Sequence, residues 1–191
     1  QELTPDAATR LDAAGGRGVF PGRAVEARPG AAGSGLYARL PLGRRSPDDA
    51  TDAEQPEAEL RLPGARPVRI KAVHPRPPIS ARSERDWRRS IARLPRPGSE
   101  PRGPLRLIAG DFNATLDHGA LRDLLSDGYV DAADATGNGL LSTWSNGLTG
   151  PPITIDHVLL DQRLGVRSFS VHEVPGSDHR AVVAELVLPR G

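Results

Sequence analysis

The 191-residue chain is long enough for one domain with a two-layered core and too short for two of ordinary size. With no Cys it can build neither a disulfide framework nor a thiolate metal site, and no run of about 20 apolar residues offers a membrane-spanning helix. A charged fraction of 26% with a formal net charge of only +1 fits a folded globular chain rather than a disordered tail. The charge is uneven: residues 61–106 carry 13 Arg or Lys against three acids, and residues 107–191 carry five against 11. A basic segment beside an acidic one suits a hydrolase that draws phosphate toward a carboxylate cluster, and suits a solvated Arg-rich face equally well.

In chain order, the start Gln1-Glu2-Leu3 lacks an initiator Met, which leads us to expect a processed or shortened chain. Leu3 to Ala14 is expected to be a short helix, capped by Thr4, with Pro5 at its first position and Gly15-Gly16 ending it. Leu36 to Leu42 is expected as a strand. Residues 43–59 are Pro-rich and acidic with few large apolar side chains, and an exposed loop is expected there. Pro67 to Val73 alternates Val68, Ile70 and Ala72 with Arg69 and Lys71, a strand pattern. Ser83 to Leu94 places Trp87, Ile91 and Leu94 at i, i+4 and i+7, the buried face of a helix. Leu105 to Ala109 is a short buried strand. Asp117 is expected to cap a helix carrying Leu121, Leu124 and Leu125, with Gly128 beyond its end. Strands are expected near 153–160, 166–174 and 181–187. Strands interleaved with helices indicate an α/β fold with mixed or antiparallel sheets.

Three short segments carry chemistry. Gly110-Asp111-Phe112-Asn113 leaves the strand Leu105–Ala109, and alternation puts Asp111 and Asn113 on one side with Phe112 turned inward. A carboxylate beside a carboxamide can polarise water and bind a phosphoryl oxygen, yet the same residues also form ordinary turns. Asp156 lies within the apolar run Ile153–Leu160, where an unpaired carboxylate is costly. Asp178-His179 opens the run Ala181 to Leu188, offering a metal-directed carboxylate and an imidazole. Asp156 is the natural partner to fix the tautomer of His179. Taken singly, each is equally a structural Asp or a turn His.

Together and in this order, Gly-Asp-Phe-Asn, Ile-Asp-His-Val and Ser-Asp-His-Arg-Ala-Val resemble the C-terminal signature of the endonuclease/exonuclease/phosphatase superfamily, to which deoxyribonuclease I belongs. Gln1-Glu2 is similar to its strand-end Gln-Glu, Gly35 to Leu42 to its strand ending in Ser-Arg-x-Pro, Val73-His74-Pro75 to its strand-end His, and Thr143-Trp144 to its Thr-Trp. The resemblance runs from Glu2 to Leu188. It implies a four-layered α/β sandwich of two mixed sheets with helices outside, and hydrolysis at phosphorus by in-line attack of water with Mg²⁺ or Mn²⁺. By the same resemblance Glu2 and Asp178 hold the metal, and Asp111 positions or deprotonates the water. Asn113 and His74 bind phosphoryl oxygens, and His179, oriented by Asp156, stabilises the transition state.

Family members carry an Asn on a strand preceding the Gln-Glu, and nothing here matches it. The expectation is therefore one domain over residues 1–191, incomplete at its N-terminus, with an open slot beside the strand Ala181–Leu188. The run from Gly110 is most similar to actinobacterial members that follow membrane-spanning helices. It implies a lipid or small-molecule phosphate as substrate, and a monomer tied to the outer face of a bacterial membrane by a segment absent from this chain, or else secreted. Nuclease members grip nucleic acid with basic and aromatic inserts, whereas the Arg-rich stretch 82–106 offers only Trp87, expected on a buried face. A nuclease, or a binding module that has lost its chemistry, are the alternatives.

Overall fold

The computed structural model describes residues 1–45, 55–98, 100, 102–145 and 150–190. Helix α1 (Pro5–Leu11) begins where expected: the Thr4 side chain accepts from the Ala7 amide, and Pro5 fills the first turn, where its missing N–H costs nothing. The chain then widens into a π-type turn over Asp12–Gly16 and continues as a short α2 (Arg17–Val19), turning at Gly15 with φ 90°. Strands β1 (Gly22–Glu26) and β2 (Ser34–Ala38) form an antiparallel ribbon.

A six-stranded sheet is the framework. Strands β3 (Leu42–Arg45), β4 (Glu57–Leu60), β5 (Val68–Val73), β6 (Leu105–Asp111), β7 (Tyr129–Asp131) and β8 (Asp156–Asp161) lie in the order β3-β4-β5-β6-β8-β7. Only β5 and β6 are parallel, so the sheet is mixed. Their connection is α3 (Ala81–Ala92), a right length of chain for a crossover. Ser80 caps α3 through a reciprocal pair of bonds with Ser83, and Trp87 and Ile91 face inward as the spacing requires. With α4 (Gly119–Ser126) and Val73, Ile108 and Leu159 of the sheet, they form the core on one face. The other face sets Val68, Leu105, Val158 and Leu160 against the ribbon of β9 (Gly165–His172) and β10 (Ala181–Val187) and the short α5 (Ala132–Ala135). Strand β8 is buried along its whole length because both faces are covered.

The fold class is thus the expected α/β one, with helices, a mixed sheet and a further β layer. That further layer consists of two antiparallel ribbons, β1-β2 and β9-β10, rather than one continuous sheet. Among the described residues β10 pairs only with β9, and a groove of about 430 Å³ lined by Ser34, Leu36, Ala72, Ala109 and Val182 runs between the ribbons.

Several boundaries differ from the sequence reading, α3 among them, which runs Ala81–Ala92 rather than Ser83 to Leu94. The expected strand Leu36–Leu42 is split, ending at Ala38 and resuming at Leu42. The expected loop 43–59 is ordered strand at both flanks, because Glu57–Leu60 pairs with β3 on one side and β5 on the other, burying Ala58; residues 46–54 lie outside the described residues. Helix α4 starts after His118, not Asp117, and the His118 ring turns back to accept from the Thr115 amide. Strand β8 begins at Asp156, since Ile153 is engaged by Trp144.

A buried polar link joins the layers beneath the site. His157 Nε2 donates to the Ala114 carbonyl at 2.8 Å, and its Nδ1 lies 2.8 Å from Asp131 Oδ2. Asp131→Ala should leave that ring nitrogen unpaired in the core and lower stability by about 2 kcal/mol. A urea melt with an unmoved midpoint would show that the link carries no stability.

Candidate active site

The parallel strands β5 and β6 end together, with Val73 opposite Gly110, so His74 and Asp111 emerge side by side. Strand β8 runs the other way and brings Asp156 directly opposite Asp111. Gly110 makes this close approach workable: φ is 149°, and a Cβ there would sit 2.0 Å from the Val73 carbonyl oxygen. Phe112 turns into the core, its carbonyl accepting from the Trp87 indole at 2.8 Å. The chain then bends at Asn113, in the left-handed region at φ 48°. There the Asn113 amide donates to Asp111 Oδ1 at 2.7 Å, and Nδ2 donates to the Pro75 carbonyl at 3.0 Å. One loop is thereby fixed to the other.

His179 completes the centre. Its Nδ1 lies 2.9 Å from Asp156 Oδ2 and its Nε2 3.8 Å from Asp111 Oδ2, so the ring stands between two carboxylates. With the carboxylate accepting at Nδ1, the ring presents Nε2 toward Asp111. His74 Nε2 is 3.6 Å from the same Asp111 oxygen. Glu2, also left-handed at φ 52°, is held by the backbone bonds of Leu3 to Gly33 and Arg28. A non-glycine residue in that region is uncommon and clusters at functional sites.

A cavity of about 810 Å³ is lined by Glu2, His74, Asp111, Asn113, Asp178 and His179. The structure therefore gathers six of the seven expected site residues around one space, from both ends of the chain. Asp156 stands behind His179, where an orienting residue belongs. Tyr37, part of the resemblance, does not line this cavity; Arg23 lies over its ring.

The electrostatics separate the groups. Burial, reinforced by the charges of Asp156 and Glu2 and opposed by the Asn113 amide and His179, pushes the Asp111 carboxyl up to about 6. The hydrogen bond to Asp156 raises His179 above the ordinary imidazole value, against the effect of burial. Burial lowers His74, which favours its neutral ring. Among the described residues no three His, Asp or Glu side chains form a compact metal cage. The oxygen donors of the cavity are the carboxylates of Glu2, Asp111 and Asp178 and the amide carbonyl of Asn113, and they stand beside the imidazoles of His74, His118 and His179. That set fits Mg²⁺ or Mn²⁺, since hard ions of this kind use one or two carboxylates and keep several waters.

Sequence reasoning gave no role to Thr143, Trp144, His118 or the walls of the cavity. Trp144 was visible as part of a motif. The walls, Pro29, Ala31 and Ala32 from one loop and Pro77, Pro78 and Ile79 from another, carried no signal, because they come to one cavity only in the fold.

The family model for the Endonuclease/Exonuclease/phosphatase family matches residues 1–179. No curated protein sequence matches the chain. Among solved structures, the chain is similar to an endonuclease/exonuclease/phosphatase from Beutenbergia cavernae, at 18% identity and TM-score 0.65, covering 96% of this chain and 56% of that one. It thus spans little more than half of that relative. It is also similar to TDP2 from D. rerio complexed with a single-strand DNA product, at 15% identity and TM-score 0.67, covering 98% and 84%. A mannosyl-6-phosphatase from Bacteroides thetaiotaomicron matches at 16% identity and TM-score 0.61, covering 94% and 82%. At these identities the structural matches show the fold. The fold, and a family model that takes in all seven expected site residues, lead to one conclusion: the chain belongs to the endonuclease/exonuclease/phosphatase family, a family of phosphoesterases and nucleases.

Proposed function

We propose that the chain is a Mg²⁺- or Mn²⁺-dependent phosphoesterase that hydrolyses a phosphate ester or pyrophosphate by in-line attack of water, on a lipid or small-molecule phosphate. The observation that carries this is the Asp156–His179–Asp111 arrangement at the floor of a cavity that also holds Glu2, Asp178, Asn113 and His74. Glu2 and Asp178 would hold the metal, which when bound would supply positive charge against the negative charge of the phosphoryl group. Asp111, with its pKa near 6, is ionised at neutral pH yet basic enough to take a proton from water as the oxygen attacks phosphorus. The cationic form of His179, which Asp156 favours, offers Nε2–H to the charge that builds on the phosphoryl oxygens. Neutral His74 and the Asn113 amide add hydrogen bonds to those oxygens.

The walls favour an apolar leaving group over a nucleic acid. Beyond the polar floor the lining is mostly proline, alanine and isoleucine, joined by Thr115, His118 and the single indole of Trp144, with Arg76 as its basic residue, and Ile79 is 86% exposed. Trp87, the aromatic of the Arg-rich segment, is 2% exposed and bonded into the core, so it cannot stack on a base. Arg88 and Arg89 on the outer face of α3 are paired with Glu84 and Asp86.

The test is turnover of a lipid phosphate in micelles, a sugar phosphate and a DNA oligonucleotide, with Mg²⁺ and with chelator. Chelation is expected to abolish activity, and the lipid phosphate to show the highest kcat/KM. Ile79→Asp should raise KM for it about five- to tenfold, the equivalent of losing roughly 1 kcal/mol of apolar burial, and leave a small chromogenic phosphate unaffected. Preferential cleavage of the oligonucleotide would make the chain a nuclease. Metal binding without turnover on any substrate would make it a binding module.

A further inference from the structure

Trp144 lines the cavity, and segment 143–145, which has no part in the chemistry above, is bonded both to the entry of β8 and to the turn before β10. The buried Thr143 hydroxyl accepts from the amides of Ile155 and Asp156, each at 3.0 Å, which sets the entry of β8 and with it Asp156. The Thr143 carbonyl accepts from the Arg180 amide at 2.7 Å, and the Ser145 amide donates to the Asp178 carbonyl at 3.1 Å. Trp144 lies between these, bridged to Ile153 on one side and to His179 on the other. Its indole Nε1–H donates to Asp178 Oδ2 at 3.0 Å, across 34 residues of chain. Asp178 needs such a restraint. It stands on the exposed turn leading into β10, where a short carboxylate would otherwise sample several rotamers at little cost.

We propose that Trp144 is a positioning residue whose indole N–H fixes the carboxylate of Asp178, taking up one oxygen and leaving the other directed to a metal ion. The inference rests on the phosphoesterase reading, in which Asp178 serves as a ligand. A donor aimed at a ligating carboxylate orders it before the ion arrives, and loss of such a partner usually costs about 10- to 100-fold in affinity or activity. Two features separate this role from a merely structural one. The bond is made by a half-exposed side chain rather than a core group, and the aromatic surface and the N–H can be removed independently.

Trp144→Phe keeps the ring and removes the donor. Calorimetric titration with Mn²⁺ is expected to show about tenfold weaker binding, with kcat reduced, KM unchanged and turnover restored by excess metal. In an Asp178→Asn background the same change should have no further effect, because the two residues act as one unit. Should the variant fold poorly, the wild-type chain still answers by nuclear magnetic resonance. Of its two indole N–H signals, that of Trp144 should shift on adding Mg²⁺, while that of Trp87, bonded to the Phe112 carbonyl, should not. Unchanged Mn²⁺ affinity in Trp144→Phe, or a Trp144 signal unmoved at saturating Mg²⁺, overturns the proposal and leaves the phosphoesterase reading standing. A wild-type chain that binds neither ion removes both.

Discussion

Asp156→Asn is expected to leave the fold intact and to lower kcat by about 10²- to 10⁴-fold, the range typical for disabling a positioned acid–base group. Asp156 does not touch the cavity; its backbone is held by Thr143, and its carboxylate meets the His179 ring at 2.9 Å. Asparagine keeps the volume and one acceptor, so packing should survive. It removes the charge that favours the cationic imidazole and holds the ring in one orientation. His179→Ala should cost as much, and the double variant little more than either alone, since the pair acts as one unit. A second consequence follows from the same geometry. The Asp156 charge helps to raise Asp111, directly opposite on β6, so its loss should shift the acid limb of the pH–rate profile to lower pH. Unchanged turnover in Asp156→Asn, or costs that add in the double variant, would remove the orienting role.

How far the site could be read in advance depended on whether a residue's partner lies nearby in sequence. The strands β5 and β6 and the helix α3 follow from alternation and from Trp87, Ile91 and Leu94 at helical spacing, and the motif residues sit at strand ends where the pattern breaks. Asp156 was assigned a partner because an apolar run cannot hold a bare carboxylate. His157, its neighbour, received no role: its partner Asp131 is 26 residues away and belongs to the three-residue β7, too short to show a period. The same holds for Trp144 and Asp178. Glu57–Leu60 misled for another reason. Its acidic composition describes what faces water, whereas its backbone is claimed by ladders on both sides, which composition does not report. The placement of Glu2 was available only through resemblance, because nothing in its local spacing connects it to residues more than a hundred positions away.

Asp111→Asn is expected to abolish activity and at the same time to stabilise the fold. A buried carboxyl with a pKa near 6, against 3.8 in an open chain, is held in its charged form at a cost. Between those two values the folded state binds more protons than the unfolded one, so stability falls as pH rises through that window and stays reduced above it. The difference of about two units corresponds to something on the order of 3 kcal/mol at neutral pH, an upper figure because part of it relaxes in solution. Asparagine carries no such charge. Its carbonyl oxygen can still accept from the Asn113 amide, and its volume matches the 4% exposed site. In metal-free buffer at pH 7 the variant should therefore melt later than the wild type, and the gain should shrink to a small remainder near pH 4 and vanish below about pH 3, where Asp111 is protonated in both states. Activity should move in the opposite direction. Without a base the water is not deprotonated, and kcat/KM should fall about 10²- to 10⁴-fold. In the wild type, kcat/KM should drop below about pH 6 as Asp111 takes a proton, and should fall again on the alkaline side as His179, raised by Asp156, loses its own. Thermal melts and pH–rate profiles on the two chains decide the matter. A variant no more stable than the wild type at pH 7, or a wild-type profile flat from pH 5 to 7, would mean that Asp111 is an ordinary carboxylate and that the base lies elsewhere.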